Sequence, residues 1–217
     1  MDFCTGALMR GAAGTKPRPT QVNTAQTAPS GTSSTTISLS VPSGVQNGDL
    51  LIAIVSAGGG AVSSWTQASF TFALSETSRN PNLAVAYRIA SSEPASYTFT
   101  AGASALLGAQ MIAFRGAAWD TIGTIATTNN TNTLAANGIT VAQNNAILLG
   151  AWAINNPSST FTTPTGMSLV ASSLTANNPN WAVFSQNVSA GATSTRSSTF
   201  NTSTANASAV LFSLIPS

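Results

Sequence analysis

The protein has 217 residues, of which only 6% are charged, and its formal net charge is +2. Soluble domains carry about 25% charged residues on average. With no histidine and a single cysteine, Cys4, the sequence excludes a Ser-His-Asp triad, a Cys-His pair, an imidazole metal ligand and an internal disulfide. The five carboxylate side chains leave few pairs for acid–base catalysis. We therefore expect no enzymatic activity, no cofactor and no bound metal.

Residues 1–34 predict an extended N-terminal arm. Their Gly-, Pro-, Thr-, Ser- and Gln-rich composition cannot bury enough apolar surface to order the segment by itself. Three cations, Arg10, Lys16 and Arg18, are the expected arm contacts. We expect the arm to lie along a neighbouring subunit or another protein; the alternative is that it folds back on its own body.

The charges of the remaining chain do not form a basic face. Residues 35–217 hold four arginines against four carboxylates, and no lysine. Nucleic-acid binding needs clustered Lys and Arg side chains, so no nucleic acid is expected as a partner. No membrane is expected either, because the sequence has no run of about 18 apolar residues. The N-terminus also lacks the apolar region of a secretory signal.

Strand patterns and turn signals alternate from Thr35 onward, and no stretch has a convincing helical period. Residues 37–41 alternate apolar residues with serine, which is typical of a half-buried strand. Residues 50–55 form a continuous apolar run that fits a central strand. Turn signals at 42–44 and 47–49 separate the two. Further strands are predicted at residues 70–75, 83–89, 97–100 and 110–114.

The chain contains an internal repeat with a period of 97 or 98 residues. Asn80-Pro81-Asn82 returns as Asn178-Pro179-Asn180, and two apolar blocks recur in the same order. Three blocks with one order and nearly one spacing are not expected by chance, even in a chain rich in Ser, Thr and Ala. The apolar blocks are 50–51, matched by 147–148, and 112–114, matched by 210–212.

The repeat predicts two related β-units, residues 35–118 and residues 119–217. Strands roughly every 8–15 residues, separated by polar turns, favour sandwiches of the jelly-roll or immunoglobulin-like type. The predicted fold class is therefore all-β, with two related β-sandwich units in tandem after the extended N-terminal arm. Whether the units form two sandwiches or two halves of a larger one stays open.

The carboxylates of residues 35–217 all fall before or at the start of the second unit. Asp49 lies in a turn, where an aspartate commonly bonds its own backbone. Arg88 and Arg115 lie among apolar strand residues and are predicted to pair locally with Glu93 and Asp120. A glycosidase would need two carboxylates to converge from different loops, and the second unit contributes none after Asp120. The four are Asp49, Glu76, Glu93 and Asp120.

The four tryptophans divide into two groups by their neighbours. Trp152 and Trp181 lie within apolar strand patterns and are predicted core residues. Trp65 and Trp119 border loops, so they are the candidate surface-recognition residues, where an exposed ring could stack on a sugar.

The low charge itself bears on assembly. Edge strands normally carry Lys or Pro, which prevent edge-to-edge pairing, and residues 35–217 contain no lysine. Uncharged Ser, Thr and Ala faces allow close packing against other subunits. We therefore expect a homo-oligomer, with a trimer favoured.

Three segments of the sequence are similar to segments of a known group of protein modules. They read Val-Pro-Ser-Gly-Val-Gln-Asn-Gly-Asp-Leu-Leu-Ile-Ala at residues 41–53, Ala-Tyr-Arg-Ile-Ala-Ser-Ser-Glu-Pro-Ala-Ser-Tyr-Thr-Phe-Thr at 86–100, and Ile-Ala-Phe-Arg-Gly at 112–116. Together they resemble β-sandwich modules of tailed-bacteriophage virion proteins and related bacterial surface proteins. The resemblance extends over about residues 36–217, since the second unit repeats a weaker version. Its motifs are turns and strand cores and carry no catalytic residues.

The resemblance implies a structural protein of the virion, on the outer surface of the capsid or alternatively in the tail. We expect a capsid decoration (cement) protein that stabilises the shell through arm and sandwich contacts. Its partner would be the major capsid protein or another virion protein. The chain is short and lacks a repetitive shaft, which favours this reading over a tail fibre. The alternatives are a tail-fibre or receptor- or glycan-binding tail protein, and a bacterial extracellular adhesion module, against which the missing secretion signal counts.

Overall fold

The structure is a computed structural model that describes residues 15–29, 31–60, 62–157, 159–175, 177–202 and 205–217. Within these residues the protein is built from β-strands and turns, so the predicted all-β class is confirmed. The described residues include no helix that could cross a membrane. The first seven strands are β1 (Thr20–Thr27), β2 (Ser34–Ser40), β3 (Leu50–Gly58), β4 (Trp65–Thr66), β5 (Thr71–Glu76), β6 (Asn82–Ile89) and β7 (Ser96–Arg115).

The described residues from 117 onward form ten strands. Two of them contain the repeated apolar blocks 147–148 and 210–212, and the second of these is the longest strand of this part. The strands are β8 (Ala117–Ile122), β9 (Ala126–Thr131), β10 (Thr133–Ala136), β11 (Thr140–Val141), β12 (Ala146–Ile154), β13 (Ser168–Ser173), β14 (Asn180–Val188), β15 (Gly191–Ala192), β16 (Arg196–Thr199) and β17 (Ala205–Pro216).

Two antiparallel sheets with the same strand order form the centre of the molecule. The first has the order β1-β7-β3-β6-β5, and the second has the order β13-β14-β12-β17-β8, which is the same arrangement read from the other side. β2 and β4 pair with the first half of β7, and β9 pairs with β17. Two small sheets, β10 with β16 and β11 with β15, complete the second unit.

Residue pairing confirms the repeat and corrects one of its matches. Leu50 pairs with Phe114 in the first sheet, and its counterpart Ile147 pairs with Leu214 in the second. Phe114 is therefore equivalent to Leu214, two residues beyond the Phe212 that the sequence match proposed. The match failed because residues 112–114 and 210–212 are both apolar, and an apolar run looks the same after a shift of two residues along a strand.

β7 is one strand of 20 residues where the sequence predicted two shorter ones. Its first half alternates between exposed and buried positions because it belongs to an outer layer, whereas its second half is almost wholly buried in the first sheet. The change of pattern occurs where β7 passes from one layer to the other. A strand that changes layers has no single period, so pattern reasoning divided it.

The predicted N-terminal arm requires a correction. Residues 20–27 are β1, an outer strand of the first sheet, paired with β7 from Thr20 opposite Arg115 to Thr27 opposite Ala109. The first unit thus begins before residue 35, within the segment predicted as an arm. Main-chain hydrogen bonds order this segment, whereas composition reasoning considered only the apolar area that it could bury. Residues 1–14 lie outside the described residues.

Each outer strand of the two central sheets contains a β-bulge. The extra residues are Val22 in β1, Ala73 in β5, Asp120 in β8 and Val170 in β13. They occupy equivalent places in the two units, Val22 with Asp120 and Ala73 with Val170. Bulges twist an edge away from further pairing. The edges are therefore protected by geometry in the absence of lysines, which weakens the argument for edge-to-edge assembly.

The two units share a core. Leu50, Ile52 and Ile54 of β3 belong to the same apolar cluster as Ile147 and Leu149 of β12, so the two central sheets pack face to face. Each burial of this kind contributes about 1.5–3 kcal/mol. The other face of each central sheet packs against its own outer layer: β2, β4 and the first half of β7 in the first unit, and β10 and β16 in the second. The result is four β-layers with three cores.

Candidate functional surface

Asp49 has a structural role, as its turn position predicts. It is 2% exposed and accepts a hydrogen bond from the Gln46 N–H at 2.8 Å. Its partner is Arg115, whose Nε donates to Oδ1 at 3.0 Å and whose Nη2 donates to Oδ2 at 2.9 Å. The side-chain hydrogen bond from Arg115 holds the pKa of Asp49 below its ordinary value of 3.8, against the opposing effect of burial.

The predicted pairing of Arg115 with Asp120 is wrong. Because Leu50 pairs with Phe114, the strands β3 and β7 bring the residue before Leu50 beside the residue after Phe114. Asp120 lies instead in the β8 bulge, where its Oδ2 accepts hydrogen bonds from the Ser213 hydroxyl at 2.7 Å and from the Ala142 N–H at 3.1 Å. Strand pairing between distant segments decided the partner.

The predicted pair of Arg88 and Glu93 is confirmed, with Nη2 and Oε1 3.0 Å apart. The Tyr97 hydroxyl donates to Glu93 Oε2 at 2.6 Å. The Arg88 guanidinium lies 5.1 Å from the centre of the Tyr97 ring and 5.8 Å from that of Phe70. Aromatic rings and a carboxylate thus cover and neutralise this cation within the first unit.

Glu76 is bound locally as well. Its Oε1 accepts hydrogen bonds from the Ser78 N–H at 2.7 Å and the Ser78 hydroxyl at 2.6 Å, and the hydroxyl bond is the main reason that the pKa of Glu76 is lowered. Each carboxylate of residues 35–217 therefore has its own separate set of partners. Across the described ranges, no three His, Cys, Asp or Glu side chains gather into a group that could hold a metal.

The surface placement predicted for Trp65 is wrong. Trp65 is 4% exposed, because β4 pairs with β7 and places the ring in the outer core of the first unit. Trp119 is half-buried, and its ring stacks on Tyr87 at 4.5 Å and on Phe212 at 5.6 Å. Trp119 thereby joins the two units, which is packing rather than an open platform. Trp152 and Trp181 are core residues, as predicted, at 0% and 2% exposure.

The described part of the predicted arm contacts this same chain. The Asn145 side-chain amide donates to the Lys16 carbonyl at 3.0 Å, and the Asn177 side-chain amide donates to the Pro29 carbonyl at 3.2 Å. The side chains of Lys16 and Arg18 are exposed. Residues 15–29 therefore connect both units, which corresponds to the alternative in which the segment folds back on its own body. The third predicted arm contact, Arg10, lies outside the described residues.

Sequence reasoning did not single out Arg196, although it is the only charged side chain in residues 121–217. Its Nε and Nη2 donate to Gln186 Oε1 at 3.1 and 2.7 Å. It opens onto a polar cleft of about 420 Å³, called here the Arg196 cleft. The lining residues are Thr165, Gly166, Gln186, Ser194, Thr195, Arg196 and Ser197.

The second unit also exposes apolar side chains next to an outer strand. Leu169 of β13 is 55% exposed and Leu174, just after β13, is 48% exposed. They flank a small groove of about 60 Å³, whose floor includes Phe161 and Phe184. In the first unit the comparable exposed residue is Ile89, at 52%. Exposed apolar groups surrounded by uncharged residues are typical of a surface that another protein covers.

Comparisons of the chain with protein-family models, with curated proteins and with solved structures gave no match.

Proposed function

We propose that the protein is a structural component of a tailed-phage virion, and specifically a capsid decoration protein that contacts the shell through its second unit. The observation that carries the proposal is the surface of this unit. Residues 121–217 hold one charged side chain, and two leucines, one within β13 and one just after it, are about half exposed. Protein–protein interfaces are depleted in charged residues at their centre, so this surface suits a protein partner.

The mode of action is mechanical. A protein that binds only the assembled shell stabilises it by mass action, because its binding free energy is lost when the shell comes apart. The virion assignment is supported by the resemblance of residues 41–53, 86–100 and 112–116 to phage surface modules. The contact is assigned to the second unit because the described part of the N-terminal segment is bound to this chain.

Self-association belongs to the same proposal. A homo-oligomer, with a trimer favoured, would join through the faces of the outer layers, since the edges of the central sheets are bulged. Light scattering measures the mass of the particle in solution, to be compared with 21.8 kDa for one chain. A monomer at the concentrations used for shell binding would contradict this part of the proposal.

The test of shell binding uses the full chain and particles assembled without it. We expect saturable co-sedimentation with the particles and a higher temperature of DNA release. Leu169→Asp should weaken binding at least about tenfold, because it places a charge where the partner buries an apolar side chain. Ile89→Asp is the matched control, with similar exposure in the first unit, and should bind as the unaltered protein does.

The results of this test distinguish an error in the proposed function from an error in the assigned contact surface. Failure to bind shells, or binding to isolated tails only, would overturn the decoration function. Shell binding that Leu169→Asp leaves unchanged would overturn the assignment of the contact to the second unit.

A further inference from the structure

The two units place different charges at equivalent positions. Arg88 pairs with Leu51 on β3, and its counterpart Gln186 pairs with Leu148 on β12. On the outer layers, the Tyr97 ring lies 5.1 Å from the Arg88 guanidinium, and Arg196 donates to the equivalent Gln186 at 2.7 Å. The cation thus lies on the central sheet in the first unit and on the outer layer in the second.

Among the described residues, only the first of these two cations has a carboxylate partner. Arg88 has Glu93 at 3.0 Å, on the connection from β6 to β7. The corresponding connection in the second unit, from β14 to β16, contains no acidic residue. Within the described part of the chain, no carboxylate lies within 4.0 Å of the Arg196 guanidinium. The acceptors that the described residues offer to the Arg196 guanidinium are all neutral: a side-chain amide oxygen, a hydroxyl and two carbonyls.

The hydrogen bonds of Arg196 fix the orientation of its guanidinium and leave one N–H donor without an acceptor among the described residues. A guanidinium has five N–H donors. Nε and one N–H of Nη2 donate to Gln186 Oε1, while Nη1 donates to the Ser194 carbonyl and hydroxyl and to the Thr195 carbonyl. The second N–H of Nη2 has no acceptor among the described residues. A side chain fixed in this way loses little further freedom when it binds a ligand.

A second donor lies at the same cleft. Gly166 has a φ of +78°, in the left-handed region that favours glycine, and a Cβ at this position would lie 3.0 Å from Gln186 Nε2. Since Gly166 has no side chain, it leaves this amide nitrogen uncovered. The described lining of the cleft therefore combines a cation, an amide N–H₂ group and several hydroxyls, and contains no acidic side chain.

We propose that the Arg196 cleft binds a carboxylate, which is supplied by an acidic side chain of a partner protein. The carboxylate takes the place that Glu93 fills for Arg88 in the first unit, through charge-assisted hydrogen bonds from Arg196 and the Gln186 amide. None of the described residues that line the cleft is aromatic, so they offer no platform on which a sugar ring would stack. Only the source of the carboxylate rests on the proposed shell contact.

The test follows the arginine Nε–H signals of the full-length protein by NMR during titration with small probes. The main probe is the peptide acetyl-Gly-Glu-Gly-amide, with acetyl-Gly-Gln-Gly-amide as its neutral match and glucuronate as the sugar carboxylate. We expect the Arg196 signal to shift saturably with the Glu peptide and to stay unchanged with the Gln peptide. Glucuronate should bind no more tightly than the Glu peptide.

Variants distinguish specific binding at Arg196 from a general effect of the probe's charge on the NMR signals. Arg196→Gln should abolish the saturable response, read from the Gln186 amide signals, and Arg196→Lys should weaken it several-fold because a lysine cannot reproduce the planar fork. Arg79→Gln, which removes an exposed arginine of the first unit, should leave binding unchanged. Thermal unfolding of each variant checks that it is folded.

Three results would overturn the inference: an Arg196 signal that does not respond, equal shifts of all arginine signals, or a response that persists in Arg196→Gln. Tighter binding of glucuronate than of the Glu peptide would overturn the protein side chain as the source. None of these results bears on co-sedimentation with shells, so the proposed function stands or falls on its own test.

Discussion

Arg115 and Asp49 form a two-point ion pair that joins the end of β7 to the turn before β3. The Asp49 side chain is 3% exposed and that of Arg115 is 45% exposed, so a half-exposed cation covers a buried anion. Arg115 Nη2 also donates to the Gly44 carbonyl at 3.0 Å, which extends the link to the preceding turn. The equivalent positions in the second unit are Ala146 and Ile215, which pack as apolar residues. The same place in the repeat is thus stabilised by an ion pair in the first unit and by apolar packing in the second.

Asp49→Ala should lower the free energy of unfolding by about 1–2 kcal/mol, because the Gln46 N–H loses its acceptor and Arg115 loses its partner. The double variant Asp49→Ala/Arg115→Ile copies the second unit and should recover part of this loss. Chemical denaturation of both variants measures the effect. A double variant that is less stable than Asp49→Ala would show that the apolar contact of the second unit cannot replace the ion pair in the first unit.

The same pair predicts the acid dependence of stability. The folded-state pKa of Asp49 is lowered by the side-chain hydrogen bond from Arg115, so its stabilising effect is complete above the unfolded value of 3.8. The effect is lost as the pH falls from there through the folded pKa. Denaturation of the unaltered protein and of Asp49→Ala across this range should give a difference in stability that shrinks with decreasing pH. A constant difference would contradict the prediction.

Tyr97 predicts an alkaline dependence of the opposite sign. Burial, together with the hydrogen bond to Glu93, raises the pKa of Tyr97 to about 12 from 10.0. The folded state therefore favours the protonated phenol, so this contribution is complete below pH 10.0 and is lost as the pH rises toward about 12. Tyr97→Phe should lose less stability than the unaltered protein over this interval, measured by urea unfolding at each pH. Parallel losses in the two proteins would contradict the assignment.

Gln110 predicts a stabilising substitution. Its side chain is 0% exposed, and neither its amide oxygen nor its amide nitrogen has a hydrogen-bond partner among the described residues. The equivalent residue of the second unit is Val210, which lies in the middle core. Gln110→Met, which keeps a similar volume, should raise the free energy of unfolding by about 1 kcal/mol or more.

Val210→Gln is the matched control for this prediction. It introduces an unpaired amide into the same core and should destabilise the protein by about 1–3 kcal/mol in the same denaturation assay. Loss of stability in Gln110→Met would mean that the Gln110 amide makes favourable interactions in the folded protein.

Much of the fold could be read from local patterns. The apolar run at 50–55 lies within β3, the predicted strand at 83–89 matches β6, and the Asn-Pro-Asn repeat marks the start of β6 and β14. The pairing of Arg88 with Glu93 could also be predicted from the sequence, since both residues lie near the same strand connection. In these cases the responsible forces act between residues close together in the chain.

Alternation, apolar runs and repeats are local properties, so they were enough to predict the all-β class, the position of most central strands and the existence of two related units. The burial of Trp65, the outer strand at residues 20–27 and the pairing of Arg115 with Asp49 became visible only in the folded chain. The same holds for the lack of an acidic partner within ion-pairing distance of Arg196 in the described chain. Each of these depends on which distant strands pair and in what register, and that choice is made by the packing of the whole chain.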